Sequence, residues 1–160
     1  MTASVVRASR SWEDFVVGER YRTDALTVTE THVVNWAGLT GDWVPLHTDA
    51  EYAASTAFGQ RIAHGPLTLA LALGLATRTG MFGDCVLAWL GLDEVRLPLP
   101  VLFGDTIHAE VEVQSCRPTS KPGRGLTVLQ YEVLNQRDEV VMTFLSTFFL
   151  KMAEPGPDGQ

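Results

Sequence analysis

The sequence has only two cysteines, Cys85 and Cys116, and no apolar run long enough to cross a bilayer. Two isolated thiols give neither a disulfide framework nor the ligand spacing of a zinc site. No metal and no cofactor is expected. The longest charge-free apolar run, Pro66 to Ala76, falls short of the ~20 residues that a spanning helix needs. The opening stretch MTASVVRASRSWEDF lacks the continuous apolar core of a signal peptide. The chain therefore reads as soluble and cytoplasmic. Basic charge is scarce as well: 12 Lys and Arg stand against 19 Asp and Glu, a net charge of -7. That balance offers no general attraction to nucleic acid or to an anionic membrane. What is present is 160 residues, 46% hydrophobic and 19% charged, enough for one domain with a real core.

Residues 1–11 read as a flexible arm, 12–152 as one domain and 153–160 as a disordered tail. Arg20 to Val28 has strand character. Thr29 is a good N-cap, and His32, Val33, Trp36, Ala37 and Leu39 fit a short amphipathic helix that Gly38 and Gly41 end. Asp42 to His47 then follows as an irregular loop, and Asp49 caps a second short helix, Ala50 to Ser55. From Pro66, leucines alternate with alanines and β-branched residues are nearly absent. Helix propensity favours a helix to Thr79 over a strand. Such a helix is apolar on every side and must be wrapped by other structure.

The second half is strand-rich. Cys85 to Leu92 and Val95 to Leu97 are apolar runs, and Pro98 and Pro100 interrupt the ladder. Thr106 to Cys116 alternates in a half-buried pattern, and a basic hairpin loop leads to Leu126 to Leu134. Glu139 to Met152 is apolar on both faces and belongs inside the sheet. His32 and His108 read as surface positions. The sum is an α+β domain, a curved antiparallel sheet wrapped around one helix. A second copy joined through an edge strand would complete it, so a homodimer or higher homo-oligomer is expected.

Asp42 and His47 carry the candidate chemistry. A carboxylate and an imidazole held on one loop can grip a single water between them. One group takes a proton while the other gives one, as addition of water to an activated double bond requires. The polarised carbonyl needs a donor, and the Gly65 amide at the helix N-terminus can supply it. Against this stand plainer readings: a Thr-Gly-Asp turn, a chance Asp–His spacing, and His64 as a helix-start or packing histidine.

The stretch GDWVPLHTD, followed by AFG at Ala57–Gly59 and IAHG at Ile62–Gly65, resembles the MaoC-like, (R)-specific enoyl-CoA hydratases. LPLPVLFGDT at Leu97–Thr106 is similar to that family's strand entry. The resemblance implies the hot-dog fold and a hydro-lyase acting on 2-enoyl or 3-hydroxyacyl thioesters of CoA or a carrier protein. It implies that Asp42 and His47 activate the water and that the Gly65 amide binds the thioester oxygen. Trp43, Val44, Tyr52, Phe58, His64 and Leu73 are the expected substrate-binding residues. Two departures stand out: Val44 occupies the place of a common Asn, and Leu73 that of a serine on the helix. Both make the pocket more apolar. They leave open a non-catalytic acyl-thioester-binding or assembly subunit, or a thioesterase of the same fold.

Overall fold

The computed structural model describes residues 9–153. Most of the expected arm and tail lies outside the described residues. A short 3-10 turn, Trp12–Asp14, precedes β1 (Arg20–Arg22) and β2 (Leu26–Thr27). Four helices follow: α1 (Glu30–Thr40), α2 (Pro45–Thr48), α3 (Ala50–Ala54) and α4 (Gly65–Arg78). The long strands come last, as β3 (Val86–Arg96), β4 (Thr106–Pro118), β5 (Arg124–Leu134) and β6 (Val140–Lys151). The sheet order is β1-β4-β5-β6-β3, with β2 also on β4, and every pairing is antiparallel.

The strict period of β5 shows how the sheet faces its core. Leu129, Tyr131 and Val133 are fully buried, while the residues between them are half-exposed. β6 is interior to the sheet, as its two apolar faces require, although the middle place belongs to β5. α4 lies over this concave side and buries Leu67, Thr68, Ala72, Leu75 and Ala76. Truncating a fully buried leucine such as Leu75 to alanine costs about 2–5 kcal/mol. The opposite side of α4, with Ala70, Gly74 and Thr77, stays exposed. One sheet thus wraps half of the helix. Gly125 sits under the indole of Trp12, where any added Cβ would collide with the ring. That contact fixes the chain start against β5.

Several expectations are corrected. Arg20 to Val28 is two strands, because Thr23 breaks the ladder: its Oγ1 accepts from the Ala109 N–H at 2.9 Å. The two runs around Gly91 form one strand, β3, whose pairing with β6 shifts register near Gly91 and Glu94. Pro45–Thr48 is one helical turn rather than irregular loop, with Pro at its start. His108 is buried, not on the surface. It sits across from Leu134 of β5, and the β1–β2 break crosses its other side.

Candidate active site

The site is built where three segments meet at the N-terminus of α4. α1 ends at Gly41, whose φ of 79° turns the chain in the left-handed region that glycine tolerates. That reversal delivers Asp42, half-buried, at the start of the loop. The single turn of α2 then presents His47. Asp49 ends the loop by capping α3, accepting from the Tyr52 N–H at 3.0 Å. The segment Ile62–Gly65 is held from the other side, by an Ile62–Leu102 bridge and by the Ala63 N–H donating to the Val101 carbonyl at 2.8 Å.

These clamps fix both histidine rings. His47 Nδ1–H donates to the Ile62 carbonyl at 2.8 Å, since a carbonyl only accepts. Its Nε2 is left free for a ligand. His64, the N-cap residue of α4, is wholly buried. Its Nε2–H donates to the Asp42 carbonyl at 3.0 Å, and its Nδ1 has no protein partner. The two rings pack against each other at a tilt, with centroids 3.9 Å apart and planes at 34°. His64 therefore ties the Asp42 loop to the helix and supports His47 at once.

Asp42, His47 and His64 each bring one ligand atom within 4.8 Å of the others. A trio of this kind can hold a divalent ion or a shared water. Gly65 is the first residue of α4, so its N–H has no partner within the helix. A cavity of about 250 Å³ opens here, lined by His47, Phe58, Gly65, Thr68, Leu97 and Val101 among others. A Cβ on Gly65 would stand 2.7 Å from Leu97 Cδ2, so the glycine keeps this mouth open.

Of the expected substrate-binding residues, Phe58 lines this cavity and His64 lies beneath it. Trp43, Val44 and Tyr52 do not line it; each is at least half exposed on the outer side of the loop. Leu73 lines a different cavity, further along α4. The wall from Leu97 to Val101 and the hydroxyl-bearing Thr68 were not foreseen as site residues. The proline-spaced run at Leu97–Pro100, irregular and apolar beside a strand end, was the available signal.

Comparison with known proteins bears on this arrangement. The chain is 35% identical over 114 residues to Protein MaoC of Klebsiella aerogenes, covering 71% of this chain and 33% of that protein. It is 39% identical over 89 residues to 3-hydroxyacyl-thioester dehydratase Z of Mycobacterium tuberculosis, covering 55% of this chain and 59% of that one. The chain thus spans from a third to three-fifths of the length of these two relatives. The (R)-hydratase from A. caviae superposes with a TM-score of 0.72 at 30% identity, over 88% of this chain and 99% of that chain. A Mycobacterium tuberculosis protein with a double hot-dog fold superposes at a TM-score of 0.81 and 23% identity, over 94% of this chain and 46% of that one. The sheet and helix are those of the hot-dog fold. The MaoC like domain model matches residues 14–133, and the chain belongs to the MaoC-like domain family.

Proposed function

We propose that this protein is a hydro-lyase that hydrates a 2-enoyl thioester or dehydrates a 3-hydroxyacyl thioester. The observation that supports the reading is that His47 and Gly65 line one cavity while Asp42 clusters with His47 and His64 at its edge, the Nε2 of His47 being free. The names of the thioester dehydratase and the (R)-hydratase among its relatives support it.

In the hydration direction, Asp42 and His47 hold a water, and one of them takes its proton as the oxygen bonds to C3. The π electrons of C2=C3 move to the thioester oxygen. The Gly65 amide, backed by the α4 dipole, stabilises the charge that develops there. The proton then goes to C2 and the carbonyl re-forms. Dehydration runs the same steps backwards. His64 holds the Asp42 loop in place throughout. The thiol portion, CoA or a carrier protein, lies outside the cavity.

The working unit is a homodimer. β3 is an edge strand, and Val86, Leu87, Trp89 and Leu90 along it are all exposed. Pairing β3 with a second copy would cover them and the bare side of α4. Sedimentation equilibrium of the wild type and of Leu87→Asp tests this, with a monomer expected for the variant alone.

Incubation with crotonyl-CoA, followed by loss of the conjugated enoyl absorbance, tests the reaction. Turnover that vanishes in His47→Gln supports it. No turnover with enoyl thioesters of any length sinks it. One observation favours a second reading, a non-catalytic acyl-binding subunit: Val44 is the N-cap of α2 and makes no side-chain cap bond there. That reading predicts thioester binding without conversion. Release of free thiol instead would mark a thioesterase.

A further inference from the structure

Among the described residues Asp105 is the one buried acid, at 3% exposure, and it does not line the cavity at Gly65. A buried charge persists only where it is paired and hydrogen-bonded. Asp105 Oδ1 accepts from Gln136 Nε2 at 2.7 Å and from Arg137 at 3.3 Å, both in the turn between β5 and β6. Its Oδ2 accepts from the Leu102 N–H at 2.8 Å. Alone, this last bond closes the turn that leads into β4. Its continuation on the far side of Leu102 reaches the candidate active site.

The Leu102 N–H and the Val101 carbonyl belong to one planar peptide unit and point in opposite directions. The Val101 carbonyl accepts from the Ala63 N–H at 2.8 Å. The Ala63 N–H in turn shares a peptide unit with the Ile62 carbonyl, which accepts from His47 Nδ1–H at 2.8 Å. Three hydrogen bonds of 2.8 Å therefore run head to tail from the Asp105 carboxylate, through two peptide units, to the His47 ring. Ile62, Ala63 and Val101 are all buried, so water does not interrupt the chain. In such a chain each bond polarises the next, the more so in a low dielectric. With a carboxylate at its head, the Ile62 carbonyl is a stronger acceptor than an isolated peptide. The hydrogen bond at one ring nitrogen of a histidine decides which nitrogen carries the proton. The Ile62–Leu102 bridge by itself would hold the two segments together, and it needs no acid at position 105.

We propose that Asp105 is a positioning residue for the reaction: through two peptide units it fixes the His47 proton on Nδ1 and so keeps Nε2 bare toward the cavity. This role rests on the hydro-lyase reading above and adds to it the group that keeps His47 a proton acceptor. Asp105 itself touches no substrate.

Asp105→Asn breaks the chain at its head while keeping the size of the side chain. Gln136 and Arg137 donate to one carboxylate oxygen and the Leu102 N–H to the other. An amide offers a single oxygen. With two donors on one side and one on the other, that oxygen turns to Gln136 and Arg137, and the amide NH2 meets the Leu102 N–H. Nitrogen-15 NMR of histidine-labelled protein reads the tautomer of His47, whose signals are assigned by their loss in His47→Gln. The wild type should carry the His47 proton on Nδ1, and Asp105→Asn should shift a substantial fraction to Nε2. Its kcat on crotonyl-CoA should fall by about tenfold, the lower end of what losing an outer partner of a working histidine costs. KM should stay within about twofold, since the cavity wall and the Gly65 amide are unchanged.

Thermal midpoints report whether each variant is folded. The double variant Gln136→Ala, Arg137→Ala changes only exposed residues and loosens the carboxylate from its far side. It should move His47 in the same direction by less, and it decides the matter if Asp105→Asn does not fold. A wild type with the His47 proton on Nε2 overturns the proposal. So does a folded variant series in which the His47 tautomer never changes, even if kcat falls, because Asp105 would then act on stability alone. Absence of turnover by the wild type with enoyl thioesters would count against the hydro-lyase reading, while the tautomer comparison still decides the role of Asp105.

Discussion

At its N-terminal end α4 meets a polar cluster whose members hold one another. His64 donates to the Asp42 carbonyl, His47 donates to the Ile62 carbonyl, and the two rings pack at a tilt. Two turns further on, the same helix faces a nearly apolar cavity in which one hydroxyl, that of Tyr131, is unpaired. The first end has fixed directions for protons. The second has room and no acid or base. Chemistry needs groups that cannot move, and chain recognition needs volume with few polar contacts. One helix serves both because its stripe at every fourth residue runs from Gly65 to Thr77.

The sharpest way to break this division is to remove the proton-handling groups. Asp42→Asn and His47→Gln should each lower kcat by about 10²–10⁴-fold, the usual worth of a positioned acid or base. Thermal midpoints should change little, since both side chains are only partly buried. Activity on crotonyl-CoA and on a ten-carbon enoyl thioester should fall together. A variant that lost only the long substrate would place the chemistry elsewhere.

Gly65→Ala should act at the same end but more weakly. Its Cβ would press on Leu97 Cδ2, the far end of a flexible, half-exposed side chain. Leu97 can swing away, so the helix should form and the mouth should narrow. A loss of about 10- to 100-fold in kcat/KM is expected, as for a small misplacement of a reacting group. Combining it with Leu97→Ala should recover most of that loss. No recovery would mean that the amide direction, not the space, had changed.

Leu73→Trp probes the other end. A bulky ring there should fill the second cavity, lowering kcat/KM for ten-carbon chains by about tenfold or more, in line with the cost of misfitting apolar groups in a pocket. Crotonyl-CoA should be turned over within about twofold of the wild type. A uniform loss across chain lengths would tie Leu73 to the reaction instead.

The two ends also differed in how far the sequence revealed them. Asp42, His47 and Gly65 lie within 24 consecutive residues, and the turn signals Gly41 and Pro45 and the start signal Pro66 stand among them. Local rules suffice to put an acid, an imidazole and a helix N-terminus together. The same rules find α1, α4 and the alternation of β4 and β5. They fail where position depends on distant partners. Val44 and Tyr52 sit in the right stretch but are half exposed and do not line the cavity. The second cavity draws Leu73, Val86, Tyr131 and Phe148 from four elements. A void left between elements has no local signature. His108 fails for a related reason: it alternates with inward residues and looks solvent-facing, yet neighbouring strands cover it.

His108 sharpens the contrast in a last, smaller way. Like Tyr131 it is buried with an unpartnered polar atom, Nε2, but it lines neither cavity. Its unpaired group should therefore affect stability. Burial, with Arg22 adding to it and Glu110 and Asp138 opposing, holds its pKa below the ordinary histidine value. The folded protein thus keeps His108 neutral where the unfolded chain, near a pKa of ~6.5, begins to take up a proton. Below that point the unfolded state binds more protons, so stability is full above it and declines as the pH falls toward the folded value. The slope from this one group is at most about 1.4 kcal/mol per pH unit. Denaturant unfolding of wild type and His108→Leu at pH 7.5 and 5.5 measures it. The variant should gain on the wild type by up to about 1 kcal/mol on moving to the lower pH. A stability difference that is the same at both pH values would show that His108 titrates alike in the folded and unfolded chain. Its burial would then be a matter of packing and not of charge.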